Sequence, residues 1–290
     1  MDIEQIINQK IANSTANEWN NWKKQQTQDN PAQDLSFGLF RKFFNQNFQQ
    51  FNFSQVNFSS SEIYNCDFSQ ADLVEANLYA AEIQGNSKFI KANLKQASLR
   101  VAKISQADFT EANLSETDCC GITINEVLLV KANLHSANLS DSKLTDIDLR
   151  QTDLTLSNLK GATFTRVDFS ECIINPQDIK VDDRTKFDDI KCDFVYYLED
   201  KNLKKYPPNG YFVLGEFEQF IQGKIDMNKP QKNRELLDGS GDSYRPELNS
   251  LVHDEEIQKL KKEVFFLENR LKSLELQEKF ALYKQGTFRY

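Results

Sequence analysis

Residues 92–116 read ANLKQ ASLRV AKISQ ADFTE ANLSE, five groups of five, each with an apolar residue at its third place. Those residues are Leu94, Leu99, Ile104, Phe109 and Leu114. Outward from this stretch the same beat holds in both directions. Upstream it runs through Phe48, Phe53, Phe58, Ile63, Phe68, Leu73, Leu78 and Ile83, and after one inserted residue it resumes at Phe89. Downstream it continues to Ile179, and every centre along the way is Leu, Ile or Phe except Cys119. Helices place apolar residues about 3.6 apart and half-buried strands two apart, so a strict five points to a repeat architecture instead.

Two residues before each centre lies a smaller position, filled by Ala71, Ala76, Ala81, Ala92, Ala97, Ala102 and others like them. The remaining places are mostly polar, as at Asp72, Asn77, Asn93, Asn113 and Asn133. A large apolar side chain then points inward, a small one fills the corner beside it, and polar residues face water. Asn, Asp, Ser and Thr suit the tight turns between groups because their side chains bond nearby backbone.

Segments such as ADLVEANLYA, KANLKQASLR, QADFTEANLS and KANLHSANLSDSKL resemble the A(D/N)LXX signature of the pentapeptide-repeat family. The resemblance covers nearly half of the chain and implies an all-β solenoid. Its expected form is a right-handed, four-sided β-helix with one pentapeptide per side and about four per coil. The sequence supports four per coil independently. When residue i is stacked on i+20, or i+21 across the insertion, one column reads Phe48, Phe68, Phe89, Phe109, Leu129, Leu149, Phe169. Another reads Ile63, Ile83, Ile104, Ile124, Leu144, Phe164, and the enlarged small positions Val127, Ile147 and Val167 fall together. The insertion predicts a bulge at 84–88, where Gly85 and Asn86 suit turn conformations. Seven coils at a strand-like ~4.8 Å give a rod about 30 Å long, with ends that need capping.

The flanks divide the chain into further segments. Residues 1–47 read as a helical cap: Ile3, Ile7 and Ile11, with Ile6, share one helical face, Trp19 and Trp22 are three apart, and the helix ends before Asp29. After the solenoid at 48–179, residues 180–227 change character and read as a C-terminal cap. Within it a strand is expected at 194–198, a turn at 207–210 and a short helix at 215–222. This segment resembles one that follows the repeats in some pentapeptide-repeat proteins, notably cyanobacterial ones. Residues 228–250 have linker composition. In 251–283, Ile257, Leu260, Val264, Leu267, Leu271 and Leu274 alternate three and four apart as a coiled-coil seam. That helix offers self-association or packing on the chain's own solenoid.

The 290 residues carry 35 basic and 43 acidic side chains, a net charge of −8. This balance argues against direct nucleic-acid binding through phosphates. The N-terminal residues lack a basic start and an apolar core, and no apolar run reaches membrane-spanning length, so a cytoplasmic protein without a membrane is expected. Cys66 and Cys172 fall at small inward positions and Cys119 at a centre, reading as core filler. His135 and His253 belong to no nucleophile or metal pattern, and no glycine-rich phosphate loop occurs. No catalytic residue, cofactor or metal is expected, and the protein does not read as an enzyme.

Two surface features depart from the polar exterior. In EVLLVK, residues 126–131, the register turns Leu128 and Val130 outward, with Ile90 two coils below Val130 on the same face. A clustered apolar patch of this kind often marks a protein contact. On that face Asp67, Asp108, Asp148 and Asp168 align as an acidic stripe interrupted by Lys88 and Leu128. The leading expectation is a non-catalytic protein-binding scaffold or regulatory adaptor. The alternative comes from the resemblance, since some family members present a DNA-like acidic surface to type II topoisomerases.

Overall fold

A computed structural model describes residues 14–29, 41–199, 202–208, 211–213 and 215–225. The expected linker at 228–250, the coiled-coil seam from Ile257 to Leu274 and the apolar positions at Ile3, Ile6, Ile7 and Ile11 lie outside these residues.

Each pentapeptide is a short bridge followed by a turn. In the group around Leu73, the Ala76 amide donates to the Leu73 carbonyl at 3.0 Å, closing a four-residue turn. Its third residue, Glu75, has φ 56°, as a type II turn requires. The same corner conformation recurs at Gln96, Lys131, Ser136 and many other non-glycine residues. A left-handed conformation costs an L-residue about 1–2 kcal/mol, and the stacking bonds offset it. Glu75, for instance, donates its amide to the Lys95 carbonyl of the next coil at 2.9 Å. The residue before each centre holds the turn from outside. Asp72 Oδ1 accepts the Val74 amide at 3.2 Å, and Asn133 Oδ1 accepts the His135 amide at 2.9 Å. The Asn or Asp of the repeat is therefore a turn clamp and the Ala beside it a corner filler.

Successive coils pair in parallel. One side carries true strands, β1 (Lys42–Phe44), β2 (Glu62–Tyr64), β3 (Glu82–Gln84), β4 (Lys103–Ser105), β5 (Thr123–Asn125), β6 (Lys143–Asp148), β7 (Thr163–Asp168) and β8 (Lys186–Asp188), in sequence order. The other three sides are joined by single parallel bridges, such as Asn93 to Asn113 and Asn138 to Asn158, except where β6 and β7 run on around a corner to pair Asp148 with Asp168. The result is a four-sided parallel β-helix, as the columns imply. Ile63, Ile83, Ile104, Ile124, Leu144 and Phe164 are direct partners in the ladder, and Ile147 pairs with Val167. Inside, Phe68, Phe89 and Phe109 stack nearly parallel, with ring centres 4.9 and 4.5 Å apart.

The inserted residue falls where expected. Asp67 pairs with Lys88, and Gly85 and Asn86 both have positive φ. The Tyr64 ring lies across Gly85, and a Cβ there would come within 2.5 Å of it. Ser87 fills the small corner position, donating to the Gln84 carbonyl and accepting the Cys66 amide.

At both ends the solenoid extends past the regular beat. Phe43 is a centre, paired with Ile63, so the first rung precedes Phe48. Ile179, expected as the last centre, is not one. Asn158 pairs with Lys180 and Thr163 with Lys186, offsets of 22 and 23 in place of 20. A wider turn at 175–178 shifts Ile179 into the small-residue column beside Ser157. Phe187 then continues the Phe164 column, with rings 5.2 Å apart and nearly parallel.

Helix α1 (Ala16–Asp29) closes the N-terminal end. Thr15 and Glu18 cap it reciprocally: the Glu18 amide donates to Thr15 Oγ1 and the Thr15 amide to Glu18 Oε2. Trp19 is fully buried against Phe51 and Phe53. Its indole N–H donates to the Asn52 carbonyl at 2.7 Å, and the Asn20 side-chain amide gives to Gln50 O and takes from Asn52 N. Inner coils exchange such bonds with the coil below, as when the Phe53 amide donates to the Asp72 carbonyl and the Asp72 amide to the Phe51 carbonyl. Asn20 and Trp19 stand in for a missing coil. Lys23 adds its buried ammonium, donating to Asn52 Oδ1, Ser54 Oγ and the Ser54 carbonyl. Burial holds this ammonium below the ordinary lysine range, at about 8, with Asp72 opposing the shift.

The C-terminal cap is an antiparallel hairpin, β9 (Val195–Glu199) with β10 (Asn202–Tyr206), and the short helix α2 (Glu216–Ile221). Phe217 packs on Phe169 and Phe187, and Tyr206 stacks on Phe220. The sequence patterns predicted β9 and α2 but not β10, whose NLKKY carries little apolar alternation.

Candidate interaction face

The side of the solenoid that begins at Phe48 brings both sequence-derived features together. On one edge of it, parallel pairings connect Asp67, Lys88, Asp108, Leu128, Asp148 and Asp168 in order. On the other, Lys91 donates to the Thr110 carbonyl, Glu111 to Val130 and Lys131 to Arg150, which puts Ile90, Thr110, Val130 and Arg150 in one column. Ile90, Leu128 and Val130 therefore share this face, each half-buried by its neighbours. The alternation of inward and outward places made this position legible in the sequence.

The aligned aspartates are engaged locally. Each accepts the amide of the residue two further on, at 2.9–3.1 Å for Ser69, Thr110, Arg150 and Ser170. Asp67 also accepts from Gln49 Nε2, and hydrogen bonds from Ser69 and Gln49 hold its carboxyl below the usual carboxylate range against opposing desolvation. Asp148 takes a two-pronged Arg150 guanidinium at 2.9 and 2.8 Å. Asp168 lies 3.3 Å from the Lys191 ammonium. A stripe whose members are turn clamps and ion-pair partners presents less open charge than its alignment suggests.

Nucleophilic chemistry finds little purchase. His135 Nδ1 lies 2.7 Å from Thr155 Oγ1, and because the Thr155 hydroxyl donates to Asp153 Oδ1 at 2.6 Å, the tautomer that fits is the one protonated at Nδ1. That order is a cross-coil ladder in which the hydroxyl proton is committed to the carboxylate. Cys66, Cys119 and Cys172 are buried as expected. Burial pushes the Cys119 thiol up to about 12 and Cys66 to about 11, leaving little thiolate near neutrality. Among the described residues no cluster of His, Cys, Asp or Glu is arranged to hold a metal, and no helix is long and apolar enough to cross a membrane.

Exposed apolar residues missed by sequence reasoning gather on the C-terminal hairpin. Leu198 and Leu203 face each other across β9 and β10, with Tyr211 and Val213 nearby in the chain and all four open to solvent. Lys205 lies 4.0 Å above the Phe194 ring. Strand alternation in 194–198 was visible, but a hairpin's outer face cannot be assigned without knowing its second strand.

Comparison with known families matches the pentapeptide repeat region over residues 102–179, and pentapeptide repeats over 42–73, 52–86 and 76–116. Among solved structures, the chain is similar to QnrB1, a plasmid-mediated fluoroquinolone resistance protein, at 17% identity. That match covers 55% of this chain and 87% of QnrB1, with a TM-score of 0.33. HetL, a pentapeptide repeat protein involved in heterocyst differentiation regulation in the cyanobacterium Nostoc, is also similar at 17% identity. There 66% of this chain and 98% of HetL are covered, with a TM-score of 0.27. A pentapeptide repeat protein of the Arabidopsis thaliana thylakoid lumen shares 29% identity over 42% of this chain and 68% of its own, at a TM-score of 0.20. No curated protein sequence matches the chain.

Proposed function

Because residues 42–179 belong to the pentapeptide-repeat family, we propose that this protein is a non-catalytic scaffold or regulatory adaptor that binds a protein partner. The observation that carries the reading is the filled interior. Leu, Ile and Phe centres occupy every coil at near-zero exposure, so the molecule's chemistry lies on its flat outer sides. On the Phe48 side, Ile90, Leu128 and Val130 supply a half-buried apolar cluster among otherwise polar outward residues of that side, and clustered apolar surface often marks a contact site. The acidic stripe draws less support, since three of its four aspartates are also held by Gln49, Arg150 or Lys191.

The test is site-directed photo-crosslinking in the native host. A photoreactive residue at Leu128 should capture a discrete partner, and one at Ser140, on the opposite side of the same coil, should not. Equal capture at both places, or none at Leu128, would remove this face from consideration.

In the same proposal the segment 251–283 supplies self-association through Ile257, Leu260, Val264, Leu267, Leu271 and Leu274, tethered by 228–250. Light scattering on the full chain should then give a multiple of 33.6 kDa, and a monomeric mass would take the tail out of the proposal. A cytoplasmic location suits three thiols sealed in the core.

A further inference from the structure

The inference that follows rests on the Phe48 side being the contact face. Ile90, Asp108, Thr110, Leu128 and Val130 occupy three consecutive coils of it. Asp108 sits at the middle of this group, with Leu128 directly above it in one column and Thr110 beside it. It differs from the other aspartates of its column. Its Oδ1 accepts the Thr110 amide at 2.9 Å, and among the described residues no side chain bonds to its carboxyl, whereas Asp67 holds Gln49, Asp148 holds Arg150 and Asp168 holds Lys191. Lys88, next below in the same column, comes within 4 Å of no carboxylate there. The face thus offers a carboxylate with no side-chain partner among the described residues, with Lys88 below it, and a collar formed by Leu128 above it and by Ile90 and Val130 in the neighbouring column. A cation brought to it would be partly desolvated by that collar, where a charge pair is worth more than on an open surface.

Spacing distinguishes the element that would bring such a cation. Adjacent coils repeat at about 4.8 Å, so Ile90 and Val130, two coils apart, are about 10 Å apart along the axis. An α-helix rises about 1.5 Å per residue, placing i and i+3 or i+4 about 4.5–6 Å apart and i and i+7 about 10.5 Å apart. Both spacings fit the coils. One side of an extended strand repeats at about 6.7 Å and falls out of step with them. We propose that the partner element is an amphipathic α-helix lying along the solenoid axis over Ile90, Thr110 and Val130. Its aliphatic residues at i and i+7 meet Ile90 and Val130, and an Arg or Lys between them meets Asp108.

The test uses the full chain and a displayed library of 20-residue helices with randomised surface positions. Selected helices should carry aliphatic residues seven apart with Arg or Lys between them. Their binding should weaken about tenfold or more with Asp108→Asn, which keeps the oxygen that holds the Thr110 amide. Selection against Asp108→Lys should return Asp or Glu at the middle position. Helices without the central cation, or indifferent to Asp108→Asn, would overturn the inference. If those helices still lose binding with Leu128→Asp and Val130→Asp, the contact face survives and only the occupant is wrong. If they bind regardless, the face fails with it.

Discussion

Phe89→Ala should destabilise the solenoid by about 3–5 kcal/mol and uncouple its two halves. Phe89 is fully buried, and its ring lies parallel to Phe68 below and Phe109 above. Removing it deletes the transfer free energy of the largest kind of side chain in this core. It also leaves a void that rigid neighbouring coils cannot close, because each is fixed by bonds on four sides. In a repeat protein, stability is roughly a sum of unit and neighbour terms, so the loss falls on one interface in the middle of the stack. Denaturation followed by tryptophan fluorescence reports α1 on the first coil, since Trp19 and Trp22 both lie there, and far-ultraviolet circular dichroism reports the whole. In the variant the two curves should separate, with the midpoint shifted down. A single coincident transition near the parent midpoint would mean that the stack closes over the gap.

The second large effect is expected at the N-terminal plug. Trp19→Ala removes a fully buried indole, its packing on Phe51 and Phe53, and the bond to the Asn52 carbonyl. A loss of about 3–5 kcal/mol in docking is expected for such a change, enough to release α1 from the coil. The Asn52 amide and the Gln50, Asn52 and Ser54 carbonyls then face water as an unprotected edge. Edges of this kind recruit other chains, so light scattering should show association that rises with concentration while the coil spectrum is retained. A variant that stays monodisperse at every concentration would show that α1 is dispensable for guarding the edge.

What was legible in the sequence was whatever repeats. The centres, the small corners, the i+20 stacking and the corner at Gly85 all follow from one periodic rule, and so does the outward direction of Leu128 and Val130. What failed was aperiodic. Ile179 keeps the five-residue beat in sequence but loses it in space, because the turn at 175–178 takes extra residues whose placement no periodicity reveals. The role of Lys23 was not legible at all, since it depends on three oxygen acceptors in a coil about thirty residues away. For the acidic stripe the alignment was readable. The engagement of its carboxylates was only half so, since the clamp on the i+2 amide is local but the Arg150 and Lys191 pairings depend on side-chain reach.

The bulge at Gly85 has a bearing on how such a chain changes length. An extra residue inside a rung would turn every later side chain from core to solvent, because inward and outward places alternate there. At the corner it does not: Lys88 still pairs with Asp67, and Phe89 still stacks on Phe68. The solenoid therefore behaves as a ruler with four scales, graduated at about 4.8 Å, whose marks survive an insertion at a corner. Residue number gives both height and side, with a step of twenty within the regular coils and twenty-one across the Gly85 corner. Segments grafted between Gly85 and Asn86 would hang from one edge of the ruler without moving a graduation. A partner that reads positions along one side is thereby insulated from changes of length made at the edges.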